Sequence, residues 1–150
     1  MDFDLTRSVK IVPGQTSPED ALAAGNYPAS GSYVDVSNYR TAICLIHLGA
    51  VSVSDTPTFE VKEADAVNGT LDTLSATYAK LTQGAADDDE TCAIVINTEK
   101  LSADHHFLSC VVSGVMYGSY GEILWLLAGS RREPVTQPAA FPAANINRYQ

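Results

Sequence analysis

FLSCVVSGVMYGSYGEILWLLAG, residues 107–129, holds two apolar runs separated by a turn rich in Gly, Tyr and Ser. In the first run Leu108, Cys110 and Val112 alternate with Phe107, Ser109, Val111 and Ser113, the two-residue period of a strand with one buried face. The second run, Glu122 to Ala128, is apolar at nearly every position and lies between Gly121 and Gly129. A helix that short is marginal, whereas a strand of that length is ordinary, so the spacing predicts a central strand of a sandwich. Together the two runs read as a hairpin, with Trp125, the one Trp of the chain, inside its second strand.

Working outward, Cys92 to Asn97 (CAIVIN) and Thr41 to Leu48 (TAICLIHL) are apolar on both faces and read as interior strands. Tyr33 to Tyr39 alternates and reads as a first strand. Thr58 to Glu63 places Phe59 and Val61 inward against Glu60 and Lys62 outward. Asn68-Gly69 beyond it is a strong turn signal. Leu71, Leu74, Tyr78 and Leu81 also fit a helical stripe, but Thr and Tyr suit a pleated surface, so Ala76 to Leu81 is assigned to a strand. Gln83 to Glu90 is a solvated loop, and Leu101 to His106 connects into the opening stretch.

Both ends of the chain break this pattern. Residues 1–32 carry Pro13, Pro18 and Pro28 with scattered Gly, and a short helix over Ser17 to Gly25 is the one regular element expected there. Beyond Arg131-Arg132-Glu133-Pro134-Val135, the prolines at 134, 138 and 142 exclude a regular strand or helix. The expected plan is an all-β antiparallel β-sandwich, jelly-roll-like, over residues 33–135, with an extended amino-terminal arm (1–32) and an extended carboxy-terminal tail (136–150).

A chain of 150 residues makes one domain that buries about 70% of its unfolded surface. The net charge of −9 and pI near 4.5 argue against nucleic acid, whose phosphates require clustered Lys and Arg. Cys44, Cys92 and Cys110 are odd in number and each sits in an apolar run, the pattern of reduced, buried thiols. The first ten residues hold two Asp and no apolar core of a signal peptide, and no apolar run is long enough to cross a bilayer, so the expectation is a soluble protein made in the cytoplasm.

Few residue clusters invite chemistry. Asp87-Asp88-Asp89-Glu90 lacks the alternation that spreads ligands around calcium and reads as a solvated loop. His105 and His106 beside Asp104 are adjacent, so their side chains point apart and do not share one ion. His47, inside an apolar strand, reads as a hydrogen-bonded core or interface histidine. No cysteine has a His or Asp at motif spacing, and Gly114, Gly118 and Gly121 fit no nucleotide-binding fingerprint. No catalytic set, metal site or cofactor site is expected. What remains is interaction: Tyr27, Phe141 and Tyr149 are isolated aromatics on the arms, and Arg131 and Arg132 stand out in an acidic chain, so these five are the expected partner contacts.

Tyr33-Val34-Asp35-Val36-Ser37-Asn38-Tyr39, Phe59 to Asp65, the approach from Leu101 to Val112, and Leu126 to Val135 resemble small structural proteins of tailed bacteriophages. Such proteins look like β-sandwich capsid cement or decoration proteins, and the resemblance spans roughly residues 33 to 135. It implies a non-enzymatic homotrimer on the outer capsid surface of a virion, binding the major capsid protein, with neither nucleic acid nor membrane as partner. An acidic exterior suits a protein that waits at high concentration without self-adhesion. The alternatives are a head–tail or tail component, and a carbohydrate-binding β-sandwich module.

Overall fold

A computed structural model describes residues 8–14, 21–74, 80–83 and 89–131. Its strands are β1 (Lys10–Pro13), β2 (Gly25–Tyr27), β3 (Val34–Asp35), β4 (Thr41–Leu48), β5 (Thr58–Ala64), β6 (Asp72–Thr73), β7 (Lys80–Thr82), β8 (Thr91–Asn97), β9 (Phe107–Ser113) and β10 (Gly121–Ala128). They form two antiparallel sheets, ordered β1-β10-β4-β8 and β2-β9-β5-β6, with β3 also on β9 and β7 also on β5. Because β2 with β3, and β6 with β7, each act as one interrupted strand, both sheets have four columns. Taken in chain order, the columns shuttle between the sheets in the order of a jelly roll.

The alternation read in Leu108, Cys110 and Val112 fixes the inner face of β9, and all three are buried. The opposing sheet supplies Ala42, Cys44, Ile46 and Leu48 from β4 and Ile123, Trp125 and Leu127 from β10. Trp125 is fully buried and its indole N–H donates to the Tyr27 carbonyl at 3.2 Å, tying the two sheets together. Cys44 and Cys110 meet across the core as free thiols; burial, then the contact with Cys110, pushes the Cys44 thiol well above its usual range.

Four expectations are corrected. First, residues 107–129 are not a hairpin: β9 pairs with β5, β2 and β3, while β10 pairs with β1 and β4 in the opposite sheet. Two strands that each carry a full apolar face bury those faces against one another across the sandwich, about 10 Å apart, better than side by side. Second, β8 is not interior but ends its sheet among the described strands, pairing with β4 alone. Third, the strand expected over Tyr33 to Tyr39 stops at Asp35, whose carboxylate accepts from the Ser37 N–H at 2.9 Å and turns the chain. Fourth, the described parts of residues 1–32 are woven into the sandwich: β1 extends one sheet, β2 the other, and Ala21 bridges Tyr120. Ala21 to Gly25 is consequently not helical, while Ser17 to Asp20 of the expected helix, the start of the Ala76 strand and the tail from 136 lie outside the described residues.

Candidate interaction surface at one end of the sandwich

One end of the sandwich is closed by the loops 49–57 and 114–120, and at their centre is Asp55. The loops are laced by backbone hydrogen bonds: Gly49 N–H to the Tyr120 carbonyl at 3.0 Å, Tyr120 N–H to Ala50 at 3.1 Å, and Thr56 N–H to Val115 at 2.9 Å. Gly114 makes the approach possible. Its φ of +101° suits glycine, and an added Cβ would collide with the Thr56 carbonyl.

The Asp55 carboxylate is buried and accepts from the Tyr117 N–H at 2.8 and 2.9 Å and from the Ser119 hydroxyl. Burial by itself would raise the Asp55 carboxyl, and that is the largest influence. The Ser119 hydroxyl and the N–H groups of Tyr117, Gly118 and Ser119 together outweigh it and hold the group below the usual carboxylate range. Asp55 thus stays ionised and works as a rivet between the loops.

What the rivet displays is apolar. Val53 is 94% exposed and Tyr117 81% exposed, with Val115 and Tyr120 also exposed beside them. Large apolar groups held on a fixed backbone bind a protein surface at a reduced entropic cost, and tyrosine adds a hydroxyl able to donate or accept.

The opposite end is pinned in a parallel way. Glu63 follows Phe59 and Val61 on the inward face of β5, is buried, and accepts from the Ser102 N–H at 3.0 Å and from the Ser102 hydroxyl. Beside it His105 has Nδ1 3.0 Å from the Ala103 carbonyl and Nε2 3.2 Å from an Asp72 carboxylate oxygen. Both partners only accept, so the ring is best satisfied as an imidazolium. The carbonyl first, then Asp72, raises its pKa. His106 is exposed and not part of this pair. Among the described residues, no group of three or more His, Cys, Asp or Glu is placed to hold a metal ion.

The expected contact residues that are described do not lie at the Asp55 end. Tyr27 does not project outward; it packs against the core, and its hydroxyl donates to the Ala23 carbonyl at 2.9 Å. Arg131 is exposed at the far end of β10, with its N–H on the Asn38 carbonyl at 2.8 Å. Arg132, Phe141 and Tyr149 lie outside the described residues. His47 is hydrogen-bonded, 2.8 Å from Thr91 Oγ1, but exposed on the outer face rather than in the core. In the acidic loop Asp89 and Glu90 are exposed, while Asp87 and Asp88 lie outside the described residues. Tyr117 and Ser119 fall in the Gly-, Tyr- and Ser-rich turn seen in the sequence, whereas Asp55 and Val53, distant in sequence, carried no signal.

No protein-family model, no curated protein and no solved structure matches this chain.

Proposed function

We propose that this protein is a virion structural protein of a tailed phage. On this reading it binds the outer capsid surface and stabilises contacts between major capsid protein subunits, using the Asp55-riveted loop end as its capsid-facing surface. The observation that carries the reading is the display of Val53, Val115, Tyr117 and Tyr120 on loops fixed by a buried carboxylate. A cement protein has no catalytic requirement; it needs a stiff body and an adhesive patch, repeated over many copies. The jelly roll serves shells, lectins and enzymes alike, so the argument rests on the patch and not on the fold.

Co-sedimentation with purified phage shells tests it. The wild type pellets with shells, and the double variant Val53→Ser, Tyr117→Ser stays in the supernatant while keeping its circular-dichroism spectrum. A wild type that never pellets ends the capsid reading; a double variant that pellets fully removes the loop end from it. The exposed Tyr117 and Tyr120 also favour a second reading, a carbohydrate-binding module, since sugars stack on open aromatic rings. Tyrosine fluorescence changes on adding oligosaccharides, absent with shells, would select that reading instead.

A further inference from the structure

The four-stranded sheet has a second face, turned away from the core, and it too is apolar. Side chains paired across an antiparallel ladder point the same way. The pairs Leu126–Ile43–Val95 and Leu124–Leu45–Ala93 therefore form two uncharged rows across β10, β4 and β8. At the β1 side the face is closed over Ile11, which is buried, whereas at the β8 side it opens, with Val95 54% exposed. A hollow of about 300 Å³, lined by Arg40, Thr41, Val95, Asn97 and Glu99, indents the open side. The backbone edge of β8 beside it has no partner strand among the described residues.

Charge is segregated along the strands that build this face. At the end where β4 finishes and β8 and β10 begin stand Glu122, Asp89 and Glu90, all exposed. Arg40, Lys100 and Arg131 stand at the other end, with Glu99 among them. An apolar middle between an acidic and a basic end is complementary to itself when turned end over end.

We infer that this face binds a second copy of the same chain, the two sheets packed face to face about a two-fold axis that lies in the interface and crosses the strands. That operation sets Glu122 of each copy toward Arg40 of the other and lays the two Val95 edges against apolar rows. It is an isologous contact, closed by two copies. The three strands span about 26 Å by about 14 Å, on the order of 400 Å² per copy, with Ala93 and Val95 exposed and Ile43, Leu45, Leu124 and Leu126 half-buried. A pair then buries roughly 800 Å², the range of weak, reversible association. The inference does not depend on the capsid reading, because it concerns a different face and is tested without shells.

Sedimentation equilibrium of the full chain from about 10 µM to 1 mM tests it, in the range where an interface of this size dissociates. The wild type fits a monomer–dimer equilibrium. Val95→Arg, a change at an exposed site, weakens association by about tenfold or more by placing an unpaired charge in the apolar middle. Glu122→Arg and Arg40→Glu each weaken it, and the double variant recovers it. Tyr117→Ser leaves it unchanged. A monomer up to 1 mM, a trimer, an unaffected Val95→Arg, a double charge swap without recovery, or sensitivity to Tyr117→Ser would each overturn the inference. Each variant is checked for a wild-type thermal transition, and the charge swap keeps the test decisive where Val95→Arg fails to fold.

Discussion

The two ends of the sandwich use the same device for different purposes. At one, buried Asp55 gathers the Tyr117 N–H and the Ser119 hydroxyl; at the other, buried Glu63 gathers the N–H and hydroxyl of Ser102. Each carboxylate replaces a missing strand pairing with charge-assisted hydrogen bonds where the chain crosses between sheets. The surroundings differ. The Asp55 end projects Val53 and Tyr117 far into solvent, whereas the Glu63 end carries the Asp72–His105 pair, and its one exposed large apolar group among the described residues, Val67, is only 39% exposed. The lesson is that a buried polar pin is structural in both places, while the side chains it holds outward differ between the ends.

The largest expected effect lies between the two ends. Trp125→Ala removes the fully buried indole and its hydrogen bond to Tyr27, and is expected to cost about 3–5 kcal/mol in urea denaturation. Both ends should melt together in that variant; separate transitions followed at the two ends would show that they are independent units.

Replacing the pins comes next. Glu63→Ala leaves the Ser102 N–H and hydroxyl without their acceptor and is expected to destabilise by about 1–3 kcal/mol while shell binding is kept. Asp55→Ala is expected to lower the melting temperature and to release shells as well, since Val53 and Tyr117 lose their fixed spacing. Equal shell binding by the two variants would remove the Asp55 end from the proposed capsid contact.

The smallest effect is in pH, with opposite signs at the two ends. Asp55 has a depressed folded pKa, so its contribution is complete above the ordinary carboxyl value of 3.8 and is lost as pH falls through the lower folded value. His105 has a raised folded pKa, so its contribution is complete below the ordinary 6.5 and is lost as pH rises through the higher folded value. Melting temperature against pH should therefore lose an acid-side step in Asp55→Asn and an alkaline-side step in His105→Gln. Identical profiles for wild type and variants would remove these groups from the pH dependence.

Much of the architecture was legible because it rests on alternation. Thr41 to Leu48 is a strand over its whole expected length, and Phe59 and Val61 are buried as their spacing requires. The same alternation carries on to Glu63, a charged residue with no inward expectation, which is held inside by Ser102, a partner distant in sequence. The Asp55 end was half legible. The Gly- and Tyr-rich turn pointed outward on composition, but Val53 is an ordinary residue until loop 49–57 folds against loop 114–120.

By itself, then, the sequence determined that the runs of β4, β5, β8, β9 and β10 are strands and which apolar side chains of β5 and β9 share a buried face, since both follow from local period and hydrophobicity. Only the tertiary structure decided that β9 and β10 part into opposite sheets, that the described parts of residues 1–32 join both of them, and that Asp55 and Glu63 become pins. Those outcomes depend on which distant apolar faces and polar groups satisfy each other best, a choice made by long-range burial that no local pattern encodes.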